Sequence, residues 1–338
     1  MPDTEETGST TSHKAEGPNT RVTVNLSLRP RLGKDDLKSK YRVQKYSLAE
    51  GYSMGPSLQA LVPKNTPEYV ERGEKYVESV MRALYHFKQA ALIGPSGVGK
   101  THLVYMVAEL AGLPLWEINC GLQTSVYDLF GRFVGLGKEN WVDGQIVSWC
   151  RYGGILYLDE ANMMKQDVAT RLNPLLDTRG HMVLTERDNE VIPRHQTGYV
   201  IISMNPYSAE FAGTKPLNAA FRRRMSVWID FDYLSVGNKV APDEIEMVSK
   251  RSKASMAVAE KIVIVAAEIR RRYKAGDLPY APSVGDLINW ATLVADGLAP
   301  AVAAEETVVA LASDDTEVQN NVRRIVRMIV GEGSEPAK

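Results

Sequence analysis

The chain has 338 residues, with 40 Lys and Arg against 41 Asp and Glu and a hydrophobic fraction of 44%. At roughly 150 residues per domain that length suggests two domains, and the balanced composition excludes collagenous, coiled-coil and wholly disordered chains. A net charge of −1 also excludes the strongly basic balance of an obligate nucleic-acid coat.

Two cysteines, Cys120 and Cys150, are too few to staple a secreted scaffold and fit a reducing compartment, the cytoplasm. No run of about 18 apolar residues and no basic-then-apolar leader occurs, so neither a membrane span nor a signal peptide is expected. Residues 1–20 hold Ser, Thr, Glu, Pro and Gly with almost no large apolar group, the composition of a disordered tail. Residues 21–32 alternate well enough for a short strand, a docking arm, and the stretch to about 60 returns to turn chemistry. A helix is expected with Thr66 as N-cap and Pro67 at its first position, Tyr76, Val77, Val80, Met81 and Leu84 sharing one face.

From residue 90 short apolar runs alternate with amphipathic helices: 90–93, a helix Lys100–Ala111, then 114–118, 154–159 and 199–204. Such alternation implies an α/β fold, a parallel sheet with flanking helices. Beyond 241 the pattern turns helical. The expected division is therefore a tail and arm over 1–60, an α/β domain over 61–240 and a smaller helical domain over 241–338.

The strongest local signal is Gly94-Pro95-Ser96-Gly97-Val98-Gly99-Lys100-Thr101, a phosphate-binding loop set between an apolar strand and a helix. Its glycines let main-chain N–H groups converge on phosphate oxygens, and the helix N-terminus adds partial positive charge. Lys100 would then reach the β and γ phosphates of a bound nucleoside triphosphate, and the Thr101 hydroxyl would hold Mg²⁺. The run Ile155-Leu156-Tyr157-Leu158-Asp159-Glu160 is an apolar strand ending in two carboxylates. Strand C-termini face the ligand crevice of a parallel sheet, which suits Asp159 to the Mg²⁺ ion and Glu160 to general-base work on the attacking water. Ser203-Met204-Asn205-Pro206 closes the next strand and offers an Asn for the γ-phosphate or the water. Leu217–Met225 ends a short helix in Arg222, Arg223 and Arg224, of which at most one or two can face a given neighbour.

This order resembles an AAA+ ATPase, and further details over about residues 60–300 are similar to the MoxR branch, in particular its CbbQ and NorQ members. Those details are Asp128-Leu129-Phe130-Gly131, Trp141-Val142-Asp143-Gly144, Asn173-Pro174-Leu175-Leu176-Asp177 and Asp230-Phe231-Asp232-Tyr233. The resemblance implies an AAA+ core with a C-terminal helical lid. It assigns Lys100 and Thr101 to Walker A, Asp159 and Glu160 to Walker B, and Asn205 to sensor 1. Arg224 falls where the family has its arginine finger, with Arg223 next in line. A finger acts on a neighbour's γ-phosphate, so a homo-oligomeric ring, hexameric in the family, is implied.

The resemblance also implies two inserted elements, for which 131–144 and 181–195 are suited, with Phe133 and Trp141 as pore-contact candidates. The second segment reads as strand, polar turn, strand. One departure stands out. Relatives usually carry a sensor 2 arginine where Pro282-Ser283-Val284-Gly285 has Gly285. Either Arg270, Arg271 or Arg272 substitutes, or the lid couples weakly to the third phosphate. The implied function is a chaperone-like ATPase remodelling a protein client, often one with a von Willebrand factor A-type domain. The alternative is a motor on nucleic acid. Against it, Arg132 and Lys138 are offset by Glu139 and Asp143, whereas a loop tracking a phosphate backbone needs net positive charge.

Overall fold

The computed structural model describes residues 32–71, 73, 75–121, 124–135, 140–206 and 216–331. Contacts divide the chain after Leu32, and the architecture is that of the unit beginning at Gly33. Most of the expected tail and arm, residues 1–31, lies outside the described residues. Beyond it the chain departs from the turn-rich expectation. Two short helices, α1 (Lys34–Lys40) and α2 (Pro56–Gln59), occur there. Leu37, Tyr41, Val43, Tyr46 and Leu48 are buried in the main core, because a hydroxyl or an apolar group every few residues is enough to anchor an otherwise polar strap.

The expected helix start at Thr66 is corrected by the structure: α3 spans Tyr76–Phe87. The residues around Thr66 are held by other elements instead. Glu109 accepts from the Asn65 and Thr66 amides (3.2 and 2.8 Å), and the Tyr41 hydroxyl donates to Tyr69 O (2.8 Å) while accepting from its N–H (2.9 Å). Main-chain donors satisfied from outside gain nothing by entering a helix. The expected apolar face does form, with Val77, Val80, Met81 and Leu84 buried and Tyr76 stacked on Phe231 at 4.3 Å.

The α/β region then runs β1 (Gln89–Ile93), α4 (Lys100–Ala111), β2 (Leu115–Asn119) and α5 (Val126–Phe130). A hairpin of β3 (Gly131–Phe133) and β4 (Trp141–Asp143) leads to α6 (Gln145–Tyr152) and β5 (Gly154–Asp159). After α7 (Gln166–Leu176), a second hairpin of β6 (His181–Leu184) and β7 (Glu190–Pro193) precedes β8 (Gly198–Met204). The short α8 (Ala219–Arg222) and β9 (Trp228–Asp230) close the region.

Five strands form one parallel sheet in the order β2-β5-β8-β1-β9. Every residue of β8 is buried, as expected for a central parallel strand covered on both faces. Period-two alternation divides the apolar residues between the faces. Ala90, Leu92, Ile155, Tyr157 and Ile201 pack under α3 and α4, while Ala91, Leu156, Leu158, Val200 and Ile202 pack under α6 and α7. The segment 181–195 is the antiparallel hairpin its pattern suggested, with positive φ at Asp188 (51°) and Asn189 (59°) tightening its turn.

The C-terminal region is helical: α9 (Pro242–Ser252), α10 (Met256–Lys274) and α11 (Val284–Ala295), then α12 (Pro300–Ala304), α13 (Ala310–Ala312) and α14 (Thr316–Val330). Its apolar core centres on Ile262, Ile269, Leu287 and Trp290. Among the described residues no helix is long and apolar enough to cross a membrane.

Candidate nucleotide site

At the C-terminal end of the sheet the chain leaves β1 through residues 94–99 and enters α4 at Lys100. Gly97 (φ 75°) and Gly99 (φ 90°) adopt conformations that a side chain disfavours, and this turns successive main-chain N–H groups toward one concavity. Lys100 is 8% exposed and folds across the loop. Its Nζ donates to Gly94 O and Pro95 O, both at 2.7 Å, and to Asn205 Oδ1 at 3.1 Å. Burial lowers the ammonium to about 8, and the nearby Asp159 and Glu160 carboxylates offset only part of that.

Asp159, the last residue of β5, and Thr101 meet from opposite directions: Thr101 Oγ1 donates to Asp159 Oδ2 at 3.3 Å. Tyr157 OH donates to Ser203 Oγ at 3.0 Å, and Ser203 Oγ donates to Asp159 Oδ1, fixing the carboxylate from behind. A hydroxyl and a carboxylate oxygen are hard donors of the kind Mg²⁺ takes, one or two from the protein and the rest from phosphate and water. The donor set fits that ion. Glu160 follows in the left-handed region (φ 51°), where an acidic residue is uncommon and strain often marks a functional position.

Lys100, Thr101, Asp159, Glu160 and Asn205 line one cavity of about 430 Å³, whereas Gly94, Pro95, Tyr157 and Ser203 lie behind its wall. Of the residues singled out from sequence, Ser96, Gly97, Val98, Gly99, Lys100, Thr101, Asp159, Glu160 and Asn205 converge on it. Phe133 and Trp141 face each other across the β3–β4 pair, rings 5.1 Å apart, and do not line it.

The arginines behave individually. Arg224 Nε donates to Asp177 Oδ2 at 3.1 Å and its Nη1 to Ala220 O at 2.8 Å, and it does not line the cavity. Arg179, with help from Arg224, holds the Asp177 carboxyl well below the usual carboxylate range. Arg222 lies over the Trp228 ring at 4.4 Å. The three arginines of α10 fail as substitutes for the side chain missing at Gly285. Arg270 is fully buried against Glu244 at 2.9 Å, and Arg271 and Arg272 both pair with Glu268. Opposite charge within their own helical layer captures them before they reach the cavity.

Sequence reasoning missed the far wall. It consists of Tyr69 and Tyr76 ahead of the loop, Met247 and Arg251 on α9, and Ser283 and Ile288 from the start of α11. Two contacts seat this wall on the loop. Tyr233 OH donates to Ser96 O at 3.0 Å, and a Cβ at Gly97 would lie 2.3 Å from that of Ser283. Tyr233 stood in a quoted motif without a role. Tyr76 and Ser283 stood in quoted segments without a role at the site, and Tyr69, Met247, Arg251 and Ile288 carry no local signal that ties them to it.

A parallel sheet with a phosphate loop after β1, carboxylates after β5 and a helical layer over the crevice defines a nucleotide-binding protein of the P-loop ATPase class. Residues 89–225 match the family model for the AAA domain (dynein-related subfamily), and 244–329 match that for the CbbQ/NirQ/NorQ C-terminal region. Protein CbbQ of Hydrogenophilus thermoluteolus is 32% identical over 76% of this chain and 95% of that protein. Denitrification regulatory protein NirQ of Pseudomonas aeruginosa is 32% identical over 74% and 92%, and Protein NorQ of Paracoccus denitrificans 30% identical over 79% and 95%. The chain belongs to the CbbQ/NirQ/NorQ family of AAA-domain ATPases.

Proposed function

We propose that this protein hydrolyses ATP at the cavity between sheet and lid and uses the energy to remodel or activate a protein client in the cytoplasm. The observation that carries the reading is the convergence of Lys100, Asn205, Thr101 and Asp159, from three separate strand ends, through direct hydrogen bonds at 3.1 and 3.3 Å. In this reading residues 61–240 bind the nucleotide and 241–338 form the lid. Gly94, Pro95, Ser96, Gly97, Val98 and Gly99 wrap the phosphates, and Lys100 neutralises the β and γ oxygens. Thr101 and Asp159 hold Mg²⁺, which when bound neutralises charge on the leaving phosphates. Asn205 orients the attacking water beside Lys100, and Glu160 takes its proton.

Arg224 sits outside its own cavity, which supports a role toward a neighbour's nucleotide in a homo-oligomeric, hexameric ring. Asp177 then holds the guanidinium in place between encounters. A client with a von Willebrand factor A-type domain is the partner class that the family resemblance favours.

Glu160→Gln tests the reading. It keeps the shape of the side chain and removes the base, so ATP binding persists while phosphate release falls by about 100-fold or more. Undiminished release assigns the base elsewhere. The same stalled variant serves as bait: captured protein supports the remodelling function, and captured nucleic acid overturns it. Mixing it with Arg224→Ala subunits restores turnover at mixed interfaces if Arg224 acts in trans.

A further inference from the structure

Among the described residues that line the cavity, two side chains are cationic: Lys100 on its floor and Arg251 in the last turn of α9. They are satisfied very differently. Lys100 donates to three oxygens. Arg251 carries five N–H donors, and its Nη2 makes a long hydrogen bond of 3.3 Å to the main-chain oxygen of Glu68. Four carboxylates share the cavity. Glu68 pairs with Lys40, Asp232 with Lys274, and Asp159 is held by Thr101 and Ser203; Glu160 is the general base of the reading above.

Arg251 is an exposed residue whose side chain is among those lining the cavity, and the surrounding protein desolvates the guanidinium enough to lower its pKa. Lys100, Thr101 and His102, the first turn of α4, line the same cavity as Arg251, where the phosphate loop delivers its N–H groups. A guanidinium that pairs with no carboxylate among the described residues, on a cavity that a helix N-terminus also lines, has the planar fork that matches phosphate oxygens. Gly285 lines the same cavity and brings no side chain to it.

We propose that Arg251 is the lid's phosphate-contacting residue, its guanidinium engaging the polyphosphate of the bound nucleotide from α9 and thereby closing the lid on it. The inference rests on the nucleotide reading above. The competing role is a strap: the contact to Glu68 O ties α9 to the segment ahead of the loop and shapes the cavity without touching phosphate.

Titrations of the full chain with ATP, ADP and adenosine in the presence of Mg²⁺ separate the two, in a Glu160→Gln background so that ATP survives. Losing hydrogen bonds to a charged group predicts that Arg251→Ala weakens ATP and ADP by about 10- to 100-fold. Adenosine, read by displacement of a fluorescent ADP, changes by less than about twofold, and Arg251→Lys recovers part of the loss by restoring charge without the fork. Unchanged ATP affinity in Arg251→Ala overturns the proposal, and so does an equal loss for adenosine, which is the strap's signature. A parent that binds no ATP removes the nucleotide reading itself. A parent that binds ATP and is indifferent to Arg251→Ala removes only this inference.

Discussion

Replacing Arg270 by methionine breaks the polar centre of the lid while nearly conserving its volume. Arg270 and Glu244 are both 0% exposed and lie 2.9 Å apart, one on α10 and the other on α9. The same guanidinium donates to Pro282 O at 2.9 Å and to Ser235 O at 3.2 Å, and its face covers the Tyr233 ring at 4.7 Å. It thus ties α9, α10, the linker from the core and the turn that presses Ser283 on Gly97. Removing one partner of a buried pair costs about 3–5 kcal/mol because the other charge is left uncompensated. Protonating an ordinary carboxylate at pH 7 costs about 4 kcal/mol, which caps the charge contribution. The two orphaned carbonyls add about 1 kcal/mol each.

The expected total for Arg270→Met is therefore about 5–6 kcal/mol at pH 7. The double variant Glu244→Leu/Arg270→Met removes both charges and recovers most of the loss. Amide hydrogen exchange in α9 and α10 reads the opening free energy of the lid helices directly. A single variant within about 1 kcal/mol of wild type, or a double variant as damaged as the single, refutes the argument that the pair is an obligatory electrostatic unit.

Two further outcomes follow from the site. Burial holds Lys100 at about 8 against a free value of 10.5, so the nucleotide-free protein gains stability as pH rises between those values, where the unfolded chain binds the extra proton. A bound polyphosphate draws the amine back up, so nucleotide binding near pH 9 takes up a proton. Calorimetry in buffers of different ionisation enthalpy detects this, and buffer-independent heats at that pH rule it out. Gly97→Ala places a methyl into a left-handed position and against Ser283, costing about 1 kcal/mol in backbone strain alone. The variant keeps its helical circular dichroism and loses about tenfold or more in ATP affinity; wild-type affinity means that the lid turn does not press on the loop.

Much of this site is legible in contiguous residues. The loop at 94–101 requires only a strand, glycines and a helix start in succession, and the structure has β1, positive φ at Gly97 and Gly99, and α4 in that order. The buried runs of β5 and β8 announce a sheet covered on both faces, and Asp159 at the end of β5 and Asn205 just beyond β8 fall beside the loop because parallel strands end on the same side. What misled the reading around Thr66 was a competitor 43 residues away in the chain, the Glu109 carboxylate that takes its amide. No local pattern reveals such a partner.

Residues 94–101, 154–160 and 199–205 determine by themselves that a nucleotide-binding sheet forms and where its crevice opens, because backbone conformation and apolar alternation belong to consecutive residues. Only the tertiary structure decides which arginine does what. Arg270, Arg271 and Arg272 are taken by Glu244 and Glu268, Arg224 rests on Asp177, and Arg251 reaches the cavity. The physical reason is that a guanidinium settles on whichever oxygen the packing brings within about 3 Å, and that depends on how helices far apart in sequence come to lie against one another.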